Sequence, residues 1–100
     1  MAGRMGEYQV SDQADEDLLD IYLYGVARFG RPQAVEYQFS FERCFELIAD
    51  NPHMGRLSDT IRAGLRRHEH GSHVVIYKEH PDHVLIVAVV HGRSITGLRL

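Results

Sequence analysis

Apolar residues in the first half of the chain recur at spacings of three and four, which is the period of an amphipathic helix. Ser11 or Asp12 offers a capping oxygen before the first stripe, and Gly30 supplies the usual helix stop after it. Pro32 suits the first turn of a second helix, which should end before Pro52. We therefore predict two helices joined as an antiparallel hairpin. The core-facing positions are Ala14, Leu18, Ile21, Gly25 and Phe29 in the first helix, and Ala34, Tyr37, Phe41, Cys44, Phe45 and Ile48 in the second.

The rest of the chain has the alternation or the β-branched runs that are typical of strands. Residues 7–11 alternate polar and apolar side chains, and residues 73–78 and 83–91 are rich in valine and isoleucine. Residues 63–69 form a weaker candidate strand, and residues 52–62 show no period and are predicted to be a loop. The order strand–helix–helix–strand–strand–strand predicts an α+β fold. In it the helical hairpin packs on a small twisted antiparallel sheet.

Length and composition fit a single small domain that comprises residues 1–100. Charged residues make up 25% and apolar residues 44%, as in ordinary soluble proteins. The longest apolar run, from Val84 to Val90, is too short to cross a bilayer, and no hydrophobic segment follows Arg4 as a secretory signal would require. The single cysteine, Cys44, has no partner for an internal disulfide. We therefore expect a cytoplasmic protein that does not contact a membrane.

The net charge of −3 conceals two halves of opposite sign. Residues 1–50 contain four arginines and ten acidic residues, whereas residues 51–100 contain seven basic and four acidic residues. The first half therefore has a net charge of −6 and the second half of +3. This asymmetry indicates that the second half contacts an anionic partner.

Seven histidines raise the possibility of a metal site. His68 and His70 would share one face of a strand, and His80 and His83 bracket a turn, but no cysteine or paired carboxylate completes either set. The position of Cys44 in the apolar stripe favours a core residue over a reactive thiol. Phosphate-binding glycine-rich loops and other cofactor motifs are absent from the sequence. We expect neither a metal nor another cofactor.

Seven short motifs, in order and at normal spacing, resemble the RelE/ParE toxin superfamily, and within it the ParE branch. They span nearly the whole chain: Tyr8-Gln-Val-Ser11; Ala14 with Asp17-Leu18, Ile21 and Tyr24; Phe29-Gly30 with Ala34 and Tyr37; Asn51-Pro52-His-Met-Gly55-Arg56; Ala63-Gly-Leu-Arg-Arg67; Gly71-Ser-His-Val-Val-Ile-Tyr77; and Val87-Ala-Val-Val-His91-Gly-Arg93. The resemblance implies the toxin of a bacterial toxin–antitoxin pair.

The superfamily implies two kinds of activity, between which the C-terminal tail discriminates. RelE relatives cut messenger RNA on the ribosome, which requires a general base and a general acid. RelE relatives carry a tyrosine or histidine in the C-terminal tail. In this chain the tail after Arg93 is Ser-Ile-Thr-Gly-Leu-Arg-Leu, which contains neither residue. ParE relatives instead trap DNA gyrase on cleaved DNA. The tail and the net charge favour a gyrase poison that is not an enzyme; the alternatives are a RelE-type endoribonuclease and an inactive toxin that serves only as co-repressor.

The resemblance also implies two binding surfaces and two partners, a ParD-like antitoxin and DNA gyrase, with operator DNA reached only through the antitoxin. We expect the antitoxin to bind apolar positions that lie outside the core stripes. The alternative is that the sheet and loop of the chain itself cover these positions. They are Leu19, Tyr22, Leu23, Val26, Val35 and Phe39. We expect the target on the basic second half: Arg62, Arg66, Arg67, His91, Arg93 and Arg99. His91 could serve as a general base, although a lone histidine is more often structural. The tail, residues 94–100, is expected to be mobile and unnecessary for the core.

Overall fold

Two helices pack on one face of a five-stranded mixed sheet, which confirms the predicted α+β class. The computed structural model describes residues 7–98 and residue 100. Along the chain these form β1 (Tyr8–Val10), α1 (Asp12–Phe29), α2 (Arg31–Asp50), a 3₁₀ turn (Pro52–Met54), β2 (Arg56–Leu57), β3 (Leu65–His70), β4 (His73–Glu79), β5 (Val84–His91) and a second 3₁₀ turn (Gly92–Ser94).

The sheet has the strand order β1-β5-β4-β3-β2. Strands β3, β4 and β5 form the predicted antiparallel meander. The sheet as a whole is not antiparallel, because β1 runs parallel to β5 with Tyr8 opposite Val84. The predicted loop over residues 52–62 also contains β2, which pairs with β3. Both differences arise from pairing between distant segments, which no local alternation of side chains records.

The ends of both helices agree with the predicted signals. The Ser11 side chain caps α1 by accepting a hydrogen bond from the Ala14 amide at 3.0 Å, and Gly30, with a φ of 94°, ends α1. The assignment of Phe29 to the core is wrong, because its side chain is 57% exposed. It lies in the last turn of α1 and lines an open cavity at the hairpin turn. Within the described residues, no helix is long and apolar enough to cross a membrane.

The core has two layers, one on each face of the sheet. Val75 and Tyr77 of β4 point towards the helices and belong to the larger cluster, with Phe41, Phe45 and Ile48 of α2. Side chains alternate along a strand, so Val74 and Ile76 point to the opposite face. Their cluster also contains Ile61, Leu65 and Ala88.

The C-terminal tail contributes to this second cluster, contrary to our expectation. Ile95 and Leu98 are partly buried and pack against the cluster that contains Leu65 and Ile76. The tail is therefore not dispensable for the core, because its removal would expose apolar surface that folding buries.

The first helix is fastened to the sheet at an irregularity of β5. Ile76 pairs with Ala88 but Tyr77 pairs with Ile86, so β5 carries one extra residue, Val87. The Ser11 hydroxyl donates to the carbonyl oxygen of Val87 at 2.7 Å. The Asp17 carboxylate accepts a hydrogen bond from the Val89 amide at 2.9 Å. The side chains of Ser11 and Asp17 thus form hydrogen bonds with backbone groups of Val87 and Val89, at the bulge and next to it.

Replacement of Asp17 by alanine should destabilise the fold, because it leaves the part-buried Val89 amide without its acceptor. The expected loss is about 1–3 kcal/mol of unfolding free energy, measured by urea denaturation. Asp20→Ala, an exposed carboxylate on the same helix, is the matched control and should cost much less. Equal losses for the two variants would show that the contact to β5 adds no stability.

Candidate functional site

The apolar positions outside the core stripes form a surface on the helical hairpin, which we call the hairpin stripe. Its members are Leu19, Tyr22, Leu23 and Val26 of α1 and Val35 and Phe39 of α2. The side chains of Leu19, Leu23 and Phe39 are 56%, 55% and 51% exposed, and the other three residues are half-buried. The sheet therefore does not cover these three large side chains. An apolar surface of this kind usually marks a site of protein contact.

A cavity of about 480 Å³ opens at the hairpin turn, between the two helices and the turn that joins β3 to β4. Its walls are largely apolar and include Tyr24 and Phe29, which are 61% and 57% exposed, together with Tyr37. We call it the hairpin cavity. The spacing of apolar residues did not predict this cavity, because Tyr24 lies outside both stripes and Phe29 was predicted to lie in the core. The only signal in the sequence was a further aromatic residue on an already apolar helix.

Histidines and hydroxyl groups make hydrogen bonds at one side of this cavity. The Tyr37 hydroxyl lies 2.7 Å from Nδ1 of His73, and the Ser40 hydroxyl lies 2.8 Å from Nε2 of His70. The Tyr37 hydroxyl also donates to the backbone carbonyl of His70 at 3.3 Å. These contacts join α2 to the ends of β3 and β4.

Burial lowers the pKa of both His70 and His73. The neighbouring His91 lowers the pKa of His73 further, and His68 and Arg43 act in the same direction on His70. Both imidazoles are therefore neutral at pH 7. The Ser40 hydroxyl gives its single proton to the Tyr37 carbonyl oxygen at 2.6 Å, so Nε2 of His70 donates to the Ser40 oxygen, whereas the direction of the hydrogen bond between Tyr37 and His73 depends on the tautomer of His73. The arrangement is that of a hydrogen-bonded support for the cavity wall.

The described residues contain no group of three or more histidine, cysteine, aspartate or glutamate side chains that could hold a metal ion. The rings of His80 and His83 stack at 4.7 Å, and His83 makes a hydrogen bond to Asp82 at 2.8 Å. Burial raises the pKa of Cys44 to about 11, which keeps the thiol protonated and unreactive at neutral pH.

Arg66, one of the predicted target-binding residues, contacts the loop that follows α2. Its guanidinium donates to the carbonyl oxygen of Gly55 at 2.7 Å. The buried Tyr77 hydroxyl accepts from the Gly55 amide at 2.8 Å and donates to the Pro52 carbonyl at 2.6 Å. A Cβ on residue 55 would collide with that hydroxyl, which explains the glycine of the Pro-x-x-Gly motif. Arg66 therefore has a structural role in holding this loop. Its role in toxicity stays a prediction.

Arg67 lies on the other face of the sheet, as alternation along β3 requires. It is half-buried and shares that face with Leu65, whereas Arg66 faces the helices and lies opposite Tyr77. The two consecutive arginines therefore cannot belong to one patch.

The remaining predicted target-binding residues are spread over two segments. Arg62 is exposed in the turn before β3. His91 and Arg93 are exposed at the end of β5, where Nδ1 of His91 accepts a hydrogen bond from the Arg93 amide at 3.1 Å. Arg99 lies outside the described residues. The structure thus brings only His91 and Arg93 into direct contact with each other.

Comparison with known proteins identifies the relatives of this chain. Residues 8–96 match the family described as ParE toxin of type II toxin–antitoxin system, parDE. Toxin ParE1 of Caulobacter vibrioides is 40% identical over 87 residues, which cover 87% of this chain and 90% of that protein. Toxin ParE1 of Mycobacterium tuberculosis is 32% identical over 87 residues, which cover 86% and 89% of the two chains.

Solved structures share the fold at lower sequence identity. A chain from the chromosomal ParDE toxin–antitoxin system of P. aeruginosa superimposes with a TM-score of 0.74 at 16% identity, covering 87% of this chain and 96% of its own. A chain from the RelBE2 toxin–antitoxin complex of Mycobacterium tuberculosis has a TM-score of 0.58 at 20% identity, covering 88% and 99%.

Proposed function

This chain belongs to the ParE family of toxins from type II toxin–antitoxin systems, and we propose that it arrests growth by poisoning DNA gyrase until a ParD-like antitoxin binds it. The observation that carries the proposal is a division of the surface. The uncovered apolar positions lie mainly on the acidic helical hairpin, whereas the basic residues lie mainly on the strands and the tail. Each surface suits a different partner, and the proposed site of action is the cytoplasm.

The hairpin stripe and the hairpin cavity are the proposed antitoxin site. Leu19 and Leu23 lie one turn apart on α1, and an amphipathic or extended peptide could bury them in the way that helix-groove complexes do. The aromatic walls of the cavity would accept an apolar side chain of the same segment, and such anchors dominate binding energy at interfaces.

The basic residues of the second half are the proposed gyrase-facing surface. A poison that holds the cleaved gyrase–DNA complex needs complementary contacts and no acid–base chemistry. The tail supplies no side chain that could act as a general acid or base, and each such group typically contributes about a hundred- to ten-thousand-fold to a rate. This composition favours gyrase over messenger RNA as the target, so the chain is proposed to act without catalysis.

We infer that antitoxin on the hairpin would neutralise the toxin sterically, by obstructing its approach to the gyrase–DNA complex, while the cations of the sheet remain uncovered.

Purified chain added to gyrase, ATP and supercoiled plasmid should accumulate linear DNA, because a trapped cleavage complex releases a double-strand break when the protein is digested. The readout is the linear band on a gel, with the antitoxin complex as the control that should give none. Cleavage of ribosome-bound messenger RNA with supercoiling untouched would instead establish the ribonuclease. A chain that leaves both processes and cell growth unaffected would favour the co-repressor.

Leu23→Glu should weaken binding of the cognate antitoxin by at least about tenfold, equivalent to about 1.4 kcal/mol, because it places a charge in the hairpin stripe. Leu47→Glu is the matched control, since Leu47 is 50% exposed on α2 but lies outside the stripe. Calorimetry on variants with unchanged circular dichroism measures the affinities. Equal affinity of Leu23→Glu and wild type would remove the stripe from the antitoxin site.

A further inference from the structure

Three cations lie next to one another on three neighbouring strands: Arg56 on β2, Arg67 on β3 and Lys78 on β4. Arg56 is directly opposite Arg67, and Lys78 is opposite Leu65, two residues along β3 from Arg67. In an antiparallel pair, directly opposite side chains start about 4.5–5.5 Å apart and diagonal ones about 7–8 Å apart. We call these three residues the cation cluster.

The cation cluster lies on the sheet face that points away from the hairpin. Arg67 is two residues from Leu65, and Lys78 is two residues from Ile76, so each shares the face of its buried neighbour. Leu65 and Ile76 both belong to the core cluster on that face. Arg56 shares the same face because it is the register partner of Arg67.

The charges of this cluster are poorly compensated within the chain. Arg56 makes an ion pair with Glu69 at 3.2 Å, but both side chains are about two-thirds exposed, so the pair is weak and screened by salt. Arg67 and Lys78 take part in none of the ion pairs among the described residues. Like charges directly opposite each other destabilise a sheet. An anionic ligand that contacts all three residues would relieve this repulsion.

The surroundings of the cluster favour nucleic acid over protein. Protein interfaces usually have an apolar centre, whereas surfaces that bind DNA are polar and strongly positive. The apolar centre of this sheet face is covered, since Leu65, Val74 and Ile76 are at most 3% exposed beneath Ile61 and the tail. Around Arg67 the exposed side chains on this face are the cations Arg56 and Lys78 and one acid, Glu69, so positive charge predominates.

We propose that the cation cluster binds the phosphate backbone of duplex DNA, and specifically of the DNA that gyrase holds, so that the toxin grips both components of the cleavage complex. This assignment rests on the proposed function for the identity of the polyanion. Arginine forks can bind phosphate oxygens through two hydrogen bonds, and lysine adds a mobile point charge. Neither Arg56 nor Lys78 was among the predicted target-binding residues, because only the strand register brings them to Arg67.

The test compares two double variants that change the net charge equally, from −3 to −5. Arg67→Gln with Lys78→Gln removes two cations from the cluster, whereas Arg28→Gln with Arg31→Gln removes two exposed cations from the hairpin. Binding to a short fluorescent DNA duplex is followed by anisotropy over a range of salt concentrations, and to an RNA hairpin of the same length in parallel. Circular dichroism and urea denaturation check that each variant is folded. Because Arg67 is half-buried, Lys78→Gln alone is measured as well.

The cluster variant should bind the duplex several-fold more weakly, and its plot of log affinity against log salt should be shallower by about 1.8, at about 0.9 for each lost phosphate contact. Lys78→Gln alone should lower the slope by about 0.9. The hairpin variant should match wild type. The proposal would be overturned if wild type did not bind the duplex, or if both double variants lost equal affinity for it. Preferential binding of the RNA hairpin would also overturn it.

The gyrase assay separates failure of this inference from failure of the proposed function. If wild type and the cluster variant accumulate linear plasmid equally well, the DNA contact is refuted and gyrase poisoning stands. If wild type binds the duplex through the cluster but never linearises plasmid, gyrase poisoning is refuted and the DNA-binding surface stands. Loss of linear product in the cluster variant alone is the expected result.

Discussion

The contact between α1 and the bulge of β5 is the constraint on which the arrangement of the molecule depends. The extra residue Val87 interrupts the ladder between β4 and β5. Ser11 binds the carbonyl oxygen of Val87, and Asp17 binds the amide of Val89. Backbone groups without hydrogen-bond partners at a part-buried site lower the stability of the fold. Since the two hydrogen bonds form in only one placement of α1 against the sheet, that placement is favoured. Since α2 follows α1 through the short turn at Gly30, the same contact also orients the hairpin. The remaining sides of both helices are then free for a partner.

The opposite sheet face is organised differently, because the chain covers it with its own loop and tail instead of a helix. Ile61, Ile95 and Leu98 cover the apolar centre, and the cations around Arg67 remain at its margin. The loop after α2 is fastened by the buried Tyr77 hydroxyl and by Arg66, which places β2 beside β3. One side of the molecule therefore offers apolar contact on an acidic background, and the other offers positive charge. This division is the physical basis for assigning antitoxin and target to different faces.

Much of the fold was predictable because its signals are local. The cap at Ser11, the stop at Gly30 and the spacing of apolar residues define both helices, and the β-branched runs define β4 and β5. The direction of β1 and the existence of β2 depend on distant partners, so no periodicity could reveal them. The candidate site divides in the same way. Spacing predicted the hairpin stripe, and alternation along β3 separates Arg66 from Arg67. The exposure of the stripe depends on how the hairpin packs on the sheet, and the approach of Arg56 and Lys78 to Arg67 follows only from the strand register.

Lys78 is the only lysine of the chain, so amine acetylation followed by mass spectrometry reports directly on the sheet face. The central claim is that antitoxin and the gyrase–DNA complex occupy different surfaces of the toxin. Lys78 in the antitoxin complex should be acetylated at nearly the rate of the free chain, and Lys78 in the cleaved gyrase–DNA complex should be protected. Protection of Lys78 by the antitoxin, or full reactivity on gyrase and DNA, would contradict it.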